Sequence, residues 1–160
     1  MTERRETPLD AVRILTTLAE RGVDYVMIGG LAVQAHGHTR TTQHADILPA
    51  PHPDNLQRLA AALHELHART LSPGGPGNEI EARDLEAVDT LALDTDAGGI
   101  DVHRAPPGAS PYDKLRARAL VVEVAGVAVA FADRDDLIAM KRASRRPIDL
   151  GDIAALTAGL

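Results

Sequence analysis

Residues 26–48 read VMIGGLAVQAHGHTRTTQHADIL. The apolar residues before Gly29 predict a short buried strand over Asp24–Ile28. Gly29 and Gly30 punctuate it, and Leu31–His36 reads as a helix closed by Gly37. His38–Gln43 is polar and predicts a loop, and His44–Leu48 fits a second strand ended by the run Pro49–Pro53. A strand running through a glycine pair into a helix aims free backbone N–H groups and the positive helix end at one point, which suits a phosphate. Such a glycine pair is also an ordinary turn, so it decides nothing alone.

The second strand adds chemistry. Side chains two apart on a strand share a face, so His44 and Asp46 point the same way. Asp101 and His103 do the same in a strand expected over Gly99–His103. Two strands, each offering a carboxylate and a histidine, are able to converge on a metal or a phosphate. Solvated strand faces account for the same spacing, and the choice stays open at this level.

Working outward, a first helix is expected over Pro8–Arg21, with Thr7 as N-cap, Pro8 at the first helical position and Asp10 completing a capping box. Leu9, Val12, Leu15 and Leu18 carry its apolar face, with Ile14 beside them. Asp54–Ala68 predicts another helix, and Ser72–Asn78 a turn-rich, mobile loop. Thr90–Asp94 and Gly99–His103 read as two strands joined by a turn. Ser110 opens a helix that reaches about Ala119. Val121–Val124 and Val127–Phe131 flank Gly126 as a hairpin. Asp133 caps a helix containing Leu137, Ile138 and Met140. Pro147 interrupts that helix, and a last one covers Ile148–Leu156. Mixed helices, strands and hairpins predict an α+β (mixed α/β) fold, and the 160 residues are expected to form one domain, residues 1–160.

Composition narrows the function classes. The chain is 44% hydrophobic but 2% aromatic, with one Phe, two Tyr and no Trp. Its core must be aliphatic, and stacking of bases on aromatic platforms is disfavoured. Seventeen basic against 23 acidic residues give a net charge of −6, which argues against a general nucleic-acid binder but not against a local basic patch. With no Cys, disulfides, thiolate metal sites and a cysteine nucleophile are excluded. The charged N-terminus lacks the apolar stretch of a secretory signal, and no apolar run approaches the roughly 20 residues that span a bilayer. The expectation is a soluble, cytoplasmic protein without a membrane partner.

Residues 26–48 resemble the signature of the nucleotidyltransferase superfamily, in particular the AbiEii-like minimal enzymes of type IV toxin–antitoxin systems. That signature is a strand, Gly-Gly, a helix ending in Gly, then Arg-x-Thr-x-Asp-x-Asp. Gly29, Gly30, Gly37, Arg40, Thr42 and Asp46 match it. The stretch DLIAMKRASRRPIDLGDIAAL (residues 136–156) resembles the group's C-terminal part, and GGIDVHR puts Asp101 at its third aspartate. The resemblance implies a small mixed sheet flanked by helices. It implies attack of an acceptor hydroxyl on the α-phosphorus of a nucleoside triphosphate, with Mg²⁺ or Mn²⁺ bound by His44, Asp46 and Asp101. Asp46 and Asp101 would be catalytic. Gly29, Gly30, Arg40, Thr42 and Lys141 would serve the nucleotide. The acceptor (a tRNA end, a protein hydroxyl or a small molecule) is not implied, and an antitoxin or a second copy is a conceivable partner.

His44 departs from the signature, which has its first aspartate there. Imidazole suits Zn, Cu, Fe or Ni better than Mg²⁺, and the swap removes a negative charge. An inactivating substitution, use of another metal, and a pseudoenzyme that only binds are three open explanations. A metal-dependent hydrolase built on His44, Asp46, Asp101 and His103 is a further alternative. Lys141, Arg142, Arg145 and Arg146 form a basic cluster, either a solvated helix end or a grip on the triphosphate and an anionic acceptor. Asp149 and Asp152 are expected to charge the first turn of the last helix. His36, His38, His52, His64 and His67 read as loop or surface residues.

Overall fold

The structure is a computed structural model that describes residues 7–71, 77 and 79–158. Among these residues the elements are α1 (Ala11–Glu20), β1 (Tyr25–Ile28), α2 (Gly29–Ala35), β2 (His44–Pro49), α3 (Pro53–Glu65), β3 (Arg69–Thr70), α4 (Ala82–Ala87), β4 (Thr90–Thr95), β5 (Gly98–His103), α5 (Tyr112–Arg118), β6 (Leu120–Val124), β7 (Val127–Phe131), α6 (Arg134–Ser144) and α7 (Pro147–Ala158). The strands make one seven-stranded sheet in the order β3-β4-β5-β2-β1-β7-β6. β1 runs parallel to β7 and β2 parallel to β5, while the remaining pairs are antiparallel. The expected mixed α/β architecture is present.

The core is aliphatic, as the composition requires. Ile14 and Leu18 of α1, Leu59 and Leu63 of α3, and Met27, Ile47, Leu93 and Ile100 of the central strands are fully buried. Each such side chain contributes about 1.5–3 kcal/mol by leaving water. Phe131 is the one buried phenyl ring. Among the described residues, no helix is long and apolar enough to cross a membrane.

Several local expectations are corrected. The N-cap of α1 is Asp10, whose carboxylate accepts from the Arg13 amide at 3.1 Å. Thr7 instead donates to Asp94, and Pro8 lies outside the helix. Val12 is exposed, because the face of α1 that meets the sheet is set by Ile14, Leu15 and Leu18. Pro111, not Ser110, precedes α5, and no side chain caps that helix. β3 and α4 lie where no element was expected. The Ser72–Asn78 loop falls outside the described residues except for Gly77.

Candidate active site

β1 delivers the chain to Gly29, which turns at φ +67° directly into α2. The same point is approached from β2: a β-carbon on Gly29 would stand 2.1 Å from Asp46 Oδ2. Glycine is therefore required twice, for its positive φ and for the close approach of the carboxylate. Gly30 is packed similarly, since an added β-carbon would meet Thr42 Oγ1 at 2.9 Å. Thr42 donates to the His44 carbonyl at 3.1 Å and so fastens the entry to β2.

The parallel ladder between β2 and β5 pairs Asp46 with Asp101 and His44 with Gly99. Residues paired across neighbouring strands put their side chains on one face. His44, Asp46 and Asp101 consequently converge, each offering a ligand atom within 4.8 Å of the others'. His44 Nε2 lies 3.2 Å from Asp46 Oδ2 and 3.4 Å from Asp101 Oδ2. His103, two residues after Asp101, donates from Nε2 to the other oxygen of Asp46 at 2.8 Å. Its Nδ1 is 3.2 Å from Thr90 Oγ1, so the hydroxyl can donate to it and fix the Nε2–H tautomer.

Burial alone would raise the Asp46 carboxyl. Hydrogen bonds from His103 and His44, and electrostatic attraction to those rings, outweigh that effect and hold it well below the usual carboxylate range. Asp46 is thus kept ionised and ready to accept a cation. The donor set of one imidazole and two carboxylates can hold a single divalent ion. Its nitrogen makes it a poorer match for Mg²⁺ than three oxygens would be. His103 stands outside this cluster, bonded to Asp46 and Thr90, which removes one ligand from the hydrolase alternative.

The opposite wall is ionic. Lys141 is buried, with Nζ 3.3 Å from Asp149 Oδ1 and 3.1 Å from Asp152 Oδ2. Arg40 also donates to Asp152, and Arg146 pairs with Asp149 at 3.1 Å. A solvated helix end is therefore wrong for Lys141. Asp149 does sit in the first turn of α7, but both it and Asp152 are buried ion-pair partners that join the loop after α2 to α6 and α7. Arg145 leaves the helix as its left-handed C-cap. Asp149 and Asp152, three residues apart, lie on one helix face, but that spacing is shared by any charged helix start and does not reveal the network.

The two walls enclose a cleft of about 460 Å³. Gly29, Gly30, Arg40, Thr42, His44, Asp46, Asp101 and Lys141 all line it, together with His103 and Arg146. The residues expected to serve a metal or a nucleotide thus line one cleft, whereas Arg142 and Arg145 of the basic cluster are exposed and do not. Of the remaining histidines, His36 bonds the Ala132 carbonyl, His64 the Ile80 carbonyl and His67 Asp96.

No protein-family model matches the sequence, and no curated protein does. Solved structures do match. The lincosamide antibiotic adenylyltransferase LnuA, in its lincomycin-bound form, superposes with a TM-score of 0.67 at 13% identity, covering 96% of this chain and 100% of that one. ANT(2")-Ia in complex with adenylyl-2"-tobramycin gives 0.59 at 16% identity, over 92% of this chain and 85% of that one. An antigenic nucleotidyltransferase-like protein from Paracoccidioides brasiliensis gives 0.56 at 16% identity, over 95% and 78%. By its sheet order, its paired aspartates and these neighbours, the chain has the nucleotidyltransferase fold.

Proposed function

We propose that the protein is a nucleotidyltransferase whose active site is held in check by His44. The observation that carries this reading is the pairing of Asp46 with Asp101 over the glycine turn, on one wall of a cleft whose other wall presents Arg40, Lys141 and Arg146 in front of Asp149 and Asp152. A nucleoside triphosphate would lie between the walls. Gly29 and Gly30 would face its phosphates, and Lys141 with Arg40 would face its negative charge. Asp46 and Asp101 would hold a divalent ion, which when bound would neutralise charge on the phosphate oxygens. The acceptor's hydroxyl oxygen forms a bond to the α-phosphorus, and the bond from that phosphorus to the bridging oxygen of the β-phosphate breaks. Pyrophosphate leaves, and the proton passes to Asp101.

His44 opposes this chemistry by its position. Its Nε2 lies between the two carboxylates, where the ring competes with a cation for both. That same contact favours a second reading, a nucleotide-binding module without transfer. Two structural neighbours are named with an antibiotic or its adenylylated form bound, which makes a small-molecule acceptor the class to test first. The experiment is incubation of the protein and its His44→Asp form with labelled triphosphates, Mg²⁺ or Mn²⁺ and cell extract. Label transferred by the Asp form supports the transferase. Triphosphate binding without transfer by either form supports the binding module.

A further inference from the structure

His103 lines two cavities. One is the cleft with the paired aspartates; the other has a volume of about 580 Å³. This second cavity falls within the roughly 300–1,000 Å³ typical of small-molecule sites. Its walls include the buried side chains Leu48, Leu56 and Leu85. His103, Ser110 and Tyr112 are polar groups able to orient a ligand.

We propose that the second cavity seats the acceptor, and that the acceptor is a small hydroxylated molecule with an apolar body. The inference rests on the transferase reading above for its role, and on the cavity alone for its ligand class. His103 touches Asp46 at 2.8 Å, so a ligand hydroxyl at the His103 end of the cavity is one side chain away from the reacting centre. An apolar body gains by covering the leucine walls. An RNA end is poorly served. Among the described residues, Tyr112 is the lone phenol or phenyl ring in the lining and Arg104 its lone Lys or Arg, with Glu86 and Asp89 beside them. Base stacking and phosphate neutralisation need the opposite balance.

The test is methyl NMR on the full chain, because each cavity carries its own reporters. Cyclohexylmethanol, a minimal hydroxylated apolar probe, should shift the methyl signals of Leu48, Leu56 and Leu85 in a saturable manner. The exposed Leu150 should stay in place. A non-hydrolysable ATP analogue with Mn²⁺ should perturb Leu137, which lines the cleft. Ala105→Trp and Ala109→Trp, both at the cavity, should abolish the alcohol's effect, with the Leu137 response showing that each variant is folded. The proposal is overturned if cyclohexylmethanol leaves the three leucines unmoved, if it shifts Leu150 equally, or if both Trp variants retain the effect. It is also overturned if a CCA-ended RNA hairpin, and not the alcohol, moves those methyls. Loss of the nucleotide response alone, with the alcohol response intact, counts against the transferase reading and leaves the cavity's ligand class standing.

Discussion

The carboxylate of Asp46 rests against the bare α-carbon of Gly29, with no room for a methyl group between them. One contact thereby ties the turn that opens α2 to the strand that carries the site.

The first prediction follows from that contact. Gly29→Ala should displace Asp46 and destabilise the fold by well over the cost of a left-handed backbone alone, which is about 1–2 kcal/mol. Gly37→Ala is the comparison, since Gly37 also has a positive φ (+92°) but no heavy atom within 4 Å of an added β-carbon. Urea unfolding of both variants measures the difference. Equal losses would mean that the Asp46 contact carries no energy.

The second concerns the ionic wall. Lys141→Met leaves Asp149 and Asp152 buried without their shared cation. Arg146 and Arg40 stay on those carboxylates, so chemical unfolding should show a loss below the roughly 3–5 kcal/mol of a buried charge left unpaired but above the ~0.5 kcal/mol of a surface substitution. A loss like that of a surface substitution would contradict the burial of Lys141.

Asp149 gives a pH dependence of defined sign. Burial would raise its carboxyl, but bonds from Arg146 and Ser144 and the charge of Lys141 lower it to about 2 from an ordinary 3.8. A lowered folded pKa means stability that is complete above the unfolded value and is lost as pH falls through the folded one. Between pH 4 and pH 2 the protein should lose about 2 kcal/mol through this group. Asp149→Asn should lack that component, which unfolding curves at several pH values would reveal.

How far the sequence revealed this site depends on the range of the interactions involved. Gly29, Gly30, His44 and Asp46 were legible because they sit in one short stretch with strand and turn periodicity. Pairing of Asp46 with Asp101 spans a parallel crossover, and spacing alone left it open; the resemblance supplied it. The fate of Asp149 and Asp152 depends on how α6 packs on α7. The same two residues at a solvated helix start would look identical in sequence. β3 has two residues and α4 a single buried one, Leu85, too little for any period to show. Thr7 lost the capping role to Asp10 because both types cap helices well, and the backbone reaches its helical turn only after residue 10.

His103 offers a fourth prediction. Its Nε2–H fixes one oxygen of Asp46 and leaves the other facing His44. Losing such an orienting partner typically lowers metal affinity about 10–100-fold. In the His44→Asp background, His103→Ala should weaken Mn²⁺ binding to that extent in calorimetry, and His103→Gln should recover part of it. Unchanged affinity in the Ala form would show that Asp46 needs no support from His103.

We propose a nucleotidyltransferase site between Asp46 and Asp101 that His44 restrains. Its most direct test compares the protein and His44→Asp in transfer from labelled triphosphates with Mg²⁺ and cell extract. The account predicts stronger Mg²⁺ binding by the Asp form and a labelled product from that form alone. Equal, robust transfer by both forms would contradict the restraint assigned to His44, and a folded Asp form that binds neither Mg²⁺ nor triphosphate would contradict the site itself.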